Sequence, residues 1–312
     1  MKKLLPFFVI LGFCFSCTKN ASPTIDGLFA DQDSVYPGDT VYFTCGASDV
    51  DGDPITFKWL YQDSNIGGPR WVAPKKPGQH YIIVTVTDGT NHAIDSIGVI
   101  VRDTTGTFTD ARDGHQYKWI KIGGQIWMAE NLAYLPALTP GSIWSITIPY
   151  YYVYGSEGSS ISTVIGNASF KTYGALYNRS AALTACPSGW HLPTDSDWMI
   201  LEKNKGMSDA VLETIGYRYS GNVGTLLKES GTAHWKSPNE SANNSTGFTA
   251  LPGGGFWDNG GYLGLGGSAN FWSSSQDYWV TAWYRGLGDF HDGVHRDYQD
   301  RAFGLSVRCV KD

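Results

Sequence analysis

The chain has 312 residues and a formal net charge of −6, with only 17% charged side chains against 38 Gly, 12 Trp and 18 Tyr. That balance, without clustered Lys and Arg, excludes nucleic acid as a partner, because neutralising phosphates takes concentrated cations. The length suffices for two domains, and the composition describes a loop-rich, aromatic-rich chain of secreted type.

Lys2 and Lys3 precede an apolar run from Leu4 to Phe15, followed by Ser16 and Cys17. A charged start, a short apolar stretch and a small residue before a cut read as a secretory signal over residues 1–16. About a dozen apolar residues are too few to span a bilayer as a helix. The placement of Cys17 resembles the lipobox of bacterial lipoproteins, which implies a diacylated thiol and an acylated new N-terminus. The departure is Cys14, where that motif usually carries Leu or Val. Two or three acyl chains at roughly 0.8 kcal/mol per buried CH₂ make a durable anchor. Thr18 gives no inner-membrane retention signal, so an outer-membrane anchor is expected. The acidic export stretch of many Bacteroidota lipoproteins is missing, which leaves the leaflet open. Residues 17–23 are small and polar and suit a flexible tether.

From residue 24 to 103, strand-like segments recur between turn signals: residues 41–47, 56–62, 80–88 and 93–101. In the third, Ile82, Val84 and Val86 alternate with Ile83, Thr85 and Thr87, the period of a half-buried strand. Pro77-Gly78 and Asp88-Gly89 punctuate the chain as turns. The spacing predicts an all-β sandwich. DVDGDPITFKW and PGQHYIIVTVTDG resemble the PKD and Ig-like modules of bacterial surface proteins. Cys45 and Trp59 stand where an immunoglobulin domain has its first Cys and core Trp, without a second Cys, so Cys45 is expected to be a buried free thiol. Asp49, Asp51 and Asp53 offer alternate carboxylates of the kind that bind Ca²⁺. An Asp/Gly/Pro turn bonded to its own backbone is the competing reading, and it is favoured.

Residues 104–109 read as a polar linker, and 110–312 as a second domain with scattered aromatics and few long strands. Thr194 to Asp197 resembles a capping box with Asp at N3, opening a helix through Trp198, Leu201 and Glu202. A second helix is predicted from Ser208 to Gly216. Two helices among irregular strands predict an α+β unit.

Several stretches occur together: Asp113-Gly114, IGGQIWMAENLAY (122–134), YGALYNRSAAL (173–183), CPSGWHLPTDSDW (186–198), GFTALPGGGF (247–256), FWSSS (271–275) and FGLSVRCVKD (303–312). In this order they resemble the Fibrobacter succinogenes major paralogous domain. The resemblance implies a C-type-lectin-like fold related to the formylglycine-generating, sulfatase-modifying enzymes. Such folds bring their ends together, which favours a Cys186–Cys309 bridge over two separate thiols. Closing a loop of that size is worth about 4–5 kcal/mol in the chain-entropy picture. Residues 135–172 interrupt the pattern and read as a variable surface insertion placed to touch a ligand, or as a loop with a few buried aromatics.

The sulfatase-modifying relatives use a reactive cysteine pair. Cys186 and Cys309 sit at structural positions here, so that activity is not carried over and no catalytic residue is assigned. His291, Asp292, His295 and Asp297 form a metal-like cluster but lie in a glycine-containing polar loop. Trp257, Tyr262, Trp272, Trp279, Trp283, Tyr284 and Arg285 are the ligand-binding candidates, since exposed aromatics stack on sugars or anchor proteins. About two of the seven are expected to be exposed. The reading is an outer-membrane-anchored, non-enzymatic envelope lipoprotein that recognises carbohydrate or another surface polymer or protein. It needs no cofactor unless Ca²⁺ binds the Asp cluster. An altered enzyme or a purely structural protein are the alternatives.

Overall fold

The computed structural model describes residues 19–156, 159–257 and 261–312, so the signal stretch and Cys17 lie outside the described residues. The chain divides into two compact units, residues 1–104 and 105–312.

In the first unit the strands are β1 (Thr24–Ala30), β2 (Ser34–Val35), β3 (Thr40–Ser48), β4 (Thr56–Tyr61), β5 (Ser64–Asn65), β6 (Arg70–Val72), β7 (Gly78–Thr87) and β8 (His92–Val101). They form two sheets, ordered β1-β3-β6 and β2-β8-β7-β4-β5. Alternation on β7 places Ile82, Val84 and Val86 wholly inside, facing Val41 and Phe43 of β3 and Trp71 of β6. Trp59 stacks on Phe43 at 5.9 Å. Each buried aliphatic side chain of this kind contributes about 1.5–3 kcal/mol. His80 can enter the same layer because Tyr61 Oη and the Lys76 carbonyl lie 2.7 and 2.9 Å from its two ring nitrogens.

Two expectations are corrected here. Cys45 is free but only half-buried, opposite Leu28 on neighbouring β1; burial, with Asp95 and Asp26 nearby, pushes its thiol up. The end of the tether is pinned rather than loose. Asn20 donates to Asp88, the Ala21 amide donates to Asp51, and Asn91 donates to both Asn20 and Ala21 carbonyls.

The second unit holds β9 (Thr105–Thr109), β10 (Gln116–Ile122), β11 (Gln125–Met128), β12 (Tyr151–Tyr152), α1 (Ile161–Val164), α2 (Ala168–Tyr173), β13 (Leu176–Tyr177), α3 (Arg179–Ala185), β14 (Trp190–His191) and α4 (Asp195–Asn204). After these come β15 (Gly216–Arg218), α5 (Val223–Leu227), β16 (Gly253–Phe256), β17 (Tyr262–Leu265), β18 (Ser268–Gln276), β19 (Thr281–Gly288), β20 (Val294–Asp300) and β21 (Val310–Lys311). One sheet runs β14-β21-β11-β10-β9, another β15-β20-β19-β18-β16-β17, and β12 pairs with β13. The unit is mostly β, with longer strands than the sequence suggested: β18 has nine residues. Its first and last strands lie in the same sheet. Cys186, at the end of α3, is bonded to Cys309 across a separation of 123 residues.

The expected linker is strand β9, paired antiparallel with β10 from Thr105–Ile120 to Thr109–Gln116. Its polar composition hid a single apolar anchor, Phe108, which stacks on Trp190 at 4.4 Å. The expected helix from Ser208 is a single 3₁₀ turn, Asp209–Val211. Beyond that turn, the Leu212 and Glu213 carbonyls accept from Arg218 and Arg296 instead of from helical amides. The 135–172 insertion is packed in part: Tyr152, Val153 and Val164 are wholly buried. Asn178 fastens it by donating to the Ser145 and Ile148 carbonyls.

Helix α4 begins with a complete capping box, Thr194 and Asp197 each accepting from the other's amide. Its inward face carries Asp195, Trp198, Leu201 and Glu202, with Trp198 packed 4.7 Å from Trp127. The carboxylates at its two ends meet three arginines on one face of the six-stranded sheet. Arg218 grips Glu202 with two bonds of 2.8 and 2.7 Å. Arg285 bridges Glu202 at 2.7 Å and Asp195 at 2.6 Å, and Arg296 reaches Asp195 at 2.6 Å. All five are buried. Burial pushes the Asp195 carboxyl up, but hydrogen bonds from Arg296 and Arg285 outweigh it and hold the group below its ordinary value.

Removing one member of such a set strands the others, a loss of about 3–5 kcal/mol. Glu202→Gln is expected to lower the stability of the second unit by that amount, measured by urea denaturation followed through tryptophan fluorescence. A change below about 1 kcal/mol, the scale of a surface pair, would show that the network does not hold α4.

Candidate functional site

Among the clefts on the second unit, two of about 480 and 670 Å³ fall within the range of small-molecule sites. The same pair of chain segments, 112–120 and 129–136, contributes to both. In the smaller cleft Trp119 is the aromatic wall. Its ring lies over Gly106 of the neighbouring strand, where a Cβ would stand 2.6 Å from Cζ2, so only glycine leaves room. Lys118, Glu130, Glu229, Thr107 and Thr249 supply polar groups beside it. Lys118 and Glu130 form an ion pair of 3.5 Å, and Glu229 lies 2.8 Å from Nδ1 of His234.

In the larger cleft the Arg112 guanidinium lies 3.7 Å from the centre of the Tyr134 ring. It is fixed there by Asp110, which is buried and accepts from Nε and Nη2 at 2.9 and 2.6 Å. Burial would push the Asp110 carboxyl up, but Arg112 outweighs it and lowers the pKa. His115, Asp113 and Lys171 add polar groups, and Leu135 and Phe170 add apolar wall. Leu135, Phe170 and Lys171 come from the insertion.

A third feature is the sheet face opposite α4. Register places Tyr217 beside His295, with Gly286 as the next partner of His295. The His291 ring lies 3.9 Å from Tyr217, and the Tyr284 hydroxyl is 3.1 Å from Nδ1 of His295. Gly288 permits this: a Cβ there would meet His291 at 3.0 Å and the Tyr217 hydroxyl at 3.1 Å. Burial pushes the His295 imidazole below its ordinary value; Asp297 works against that shift, while Arg218 and His291 add to it.

The residues singled out in sequence are dispersed. Trp272 is wholly buried and donates to the Tyr177 carbonyl at 2.7 Å, and Arg285 belongs to the α4 network, so neither can reach a ligand. Trp257 packs on Phe303, and Tyr262 on Phe256 and Tyr154. Adjacent on β19, Trp283 and Tyr284 point to opposite faces; the first carries Arg296 at 3.8 Å and the second meets His295. Trp279 alone of the seven stands in solvent, 72% exposed beside Tyr278. Asp49 accepts from the amides of Asp51 and Asp53 as in a backbone-bonded turn. Among the described residues no three His, Cys, Asp or Glu converge as metal ligands. Trp119, Tyr134 and Arg112 were not anticipated. Tyr134 closes a family-like stretch, whereas the role of Trp119 depends on Gly106 across a strand pair.

The structure defines a two-unit, mostly β protein whose second unit carries the clefts. Residues 120–311, more than half of the chain, match the Fibrobacter succinogenes major domain, and the chain belongs to that family. Among curated proteins none matches. Two solved structures show weak similarity. One is a quinonprotein alcohol dehydrogenase-like protein from Bacteroides thetaiotaomicron, at 12% identity and TM-score 0.22, covering 37% of this chain and 36% of that one. The other is the adhesin InvE of Yersinia pseudotuberculosis, at 10% identity and TM-score 0.25, covering 92% and 70%. The chain spans about a third of the length of the first, and scores this low carry no argument about fold. No helix among the described residues is long and apolar enough to cross a membrane.

His295 supplies a pH prediction. With its folded pKa depressed, the unfolded chain takes up the proton first as pH falls below about 6.5, so this group's contribution to stability is lost on the acid side. Thermal denaturation from pH 7.5 to 5 should show a decline in melting temperature that is shallower in His295→Gln. Parallel curves for the two proteins would remove His295 as the cause.

Proposed function

We propose that the second unit is a non-enzymatic recognition module for a carbohydrate or similar surface polymer, carried on the first unit as a spacer. The observation that carries this reading is the pair of clefts along shared segments, each combining an aromatic ring with fixed polar groups. Sugars present apolar ring faces and hydroxyl edges, and such walls match both. Two clefts lined by successive stretches of the same chain segments suit an extended chain better than a single small molecule. The C-type-lectin-like assignment for the second unit and the Ig- or PKD-like one for the first belong to the same reading. So does anchoring through acylated Cys17 in the outer membrane, supported by the charged, apolar and small residues before it.

A panel of polysaccharides, with and without Ca²⁺, should yield at least one polymer that binds. Trp119→Ala and Tyr134→Ala should each weaken that binding about tenfold or more, as expected for aromatic anchors. Ligands that ignore both substitutions, or a panel with no binder, would overturn the reading. The anchor has its own check. Cys17→Ser should abolish labelling by radioactive palmitate and move the protein out of the envelope fraction; unchanged labelling and fractionation would remove the anchor.

A further inference from the structure

The second unit buries six cationic side chains: Arg179, Arg218, Lys228, Arg285, Arg296 and Arg308. Five are fully engaged. Arg218, Arg285 and Arg296 hold carboxylates, as described above. The Lys228 ammonium donates to the carbonyls of Glu240, Gly288 and His291 at 3.2, 3.0 and 2.8 Å. Arg308 donates to the side-chain oxygen of Asn131 and to the carbonyls of Met128, Phe248 and Thr249.

Arg179 differs. It is 4% exposed, and its Nη2 donates to the Ser274 carbonyl, while Nε and Nη1 are buried without a partner. Among the described residues the ionised neighbour that weighs on it is Arg301, a second cation. Arg301 is also its structural neighbour, since the Arg179 amide donates to the Arg301 carbonyl at 2.9 Å. Arg301 in turn ties down the β18–β19 turn, its amide donating to Val280 and Nη1 to Trp279. That turn displays Tyr278 and Trp279, 71% and 72% exposed. A guanidinium is a fork built for oxyanions, and two buried nitrogens whose N–H groups are left unfilled are costly unless something accepts from them.

We propose that Arg179 and Arg301 form a binding site for an oxyanion, a carboxylate or sulfate group, beneath the Tyr278–Trp279 turn. This site is separate from the two clefts and stands whether or not they bind a polymer. The same chemistry is presented by a free anion and by an acidic polysaccharide. In the second case the exposed rings of Tyr278 and Trp279 stack on the sugar that carries the charge.

The test uses the full chain and its Arg179→Gln and Arg301→Gln variants. Melting temperature is followed while sulfate, then acetate, replaces chloride at constant ionic strength. A ligand that binds only the folded state raises it; a general salting effect acts on all three proteins alike. The expected result is a saturating rise in the wild type, absent in Arg179→Gln and shifted to about tenfold higher anion concentration in Arg301→Gln, the scale of one lost charge-assisted contact. Equal responses in all three overturn the proposal. If Arg179→Gln does not fold, Arg301→Gln decides alone, and an unshifted curve there overturns it. A second arm measures binding of polygalacturonate, chondroitin sulfate and neutral dextran. Tighter binding of an acidic polymer that falls with Trp279→Ala assigns the anion to a polysaccharide. Anion-dependent stabilisation with no polymer binding assigns it to a free anion.

Discussion

The five-residue ion network under α4 is the constraint on which the second unit depends. Register on the six-stranded sheet sets Arg285 directly opposite Arg296, with Arg218 on the same face. Like charges placed so repel, and the face becomes tenable only when Asp195 and Glu202 are lowered onto it. Those two residues are seven apart, two helical turns, so α4 must lie with one full face on the sheet. Its Trp198 is thereby delivered to Trp127, Phe248 and Phe271, the centre of one of the unit's buried clusters. A hydrophobic replacement of similar volume could be as stable. What the charges add is a single permitted position, since a helix shifted by one turn would leave at least one guanidinium unmatched.

A related logic governs the irregular chain between strands. Loop carbonyls buried away from water need donors, and secondary structure does not supply them there. Lys228 and Arg308 do so, each collecting acceptors from segments far apart in sequence. Burial pushes the Lys228 ammonium down to about 8, against the pull of Asp289, Asp292 and Glu240. Burial likewise pushes Arg308 down to about 9. Buried cations thus act as bolts through loops, which is how a unit with so much Gly and so little helix keeps its clefts in shape.

How much of this was legible in the amino-acid order follows from the range of each interaction. The capping box at Thr194 and the alternation in β7 are local, and both could be read directly. Strand β9 could not, because Thr-Gly-Thr-Phe-Thr has one apolar residue, and its Gly is needed only by a ring on the neighbouring strand. The stretch after Ser208 has helical spacing, yet its carbonyls are claimed by Arg218 and Arg296 from strands β15 and β20, so tertiary bonds prevailed over propensity. The candidate aromatics were chosen by density along the chain. Exposure is decided instead by strand parity, which separates Trp283 from Tyr284 and buries Trp272. The clefts escaped notice because they are made by segments that meet only after β10 and β11 pair.

On the reading proposed above, those clefts would hold a ligand on groups that are already set in place. Here the carboxylates at the walls are already engaged. Glu130 accepts from the Lys118 amide and pairs with its ammonium, and Glu229 faces His234. Asp113 accepts from the His115 amide, and Asp110, behind the wall, is spent on Arg112. Groups so engaged act as oriented dipoles, because their positions are set before the ligand arrives. Arg112 is the clearest instance: its plane is stacked on Tyr134, and one edge is clamped by Asp110 and the Ala185 carbonyl. A ring entering this cleft would meet an aromatic and a guanidinium that need no reorganisation, and the ordering cost of binding falls accordingly.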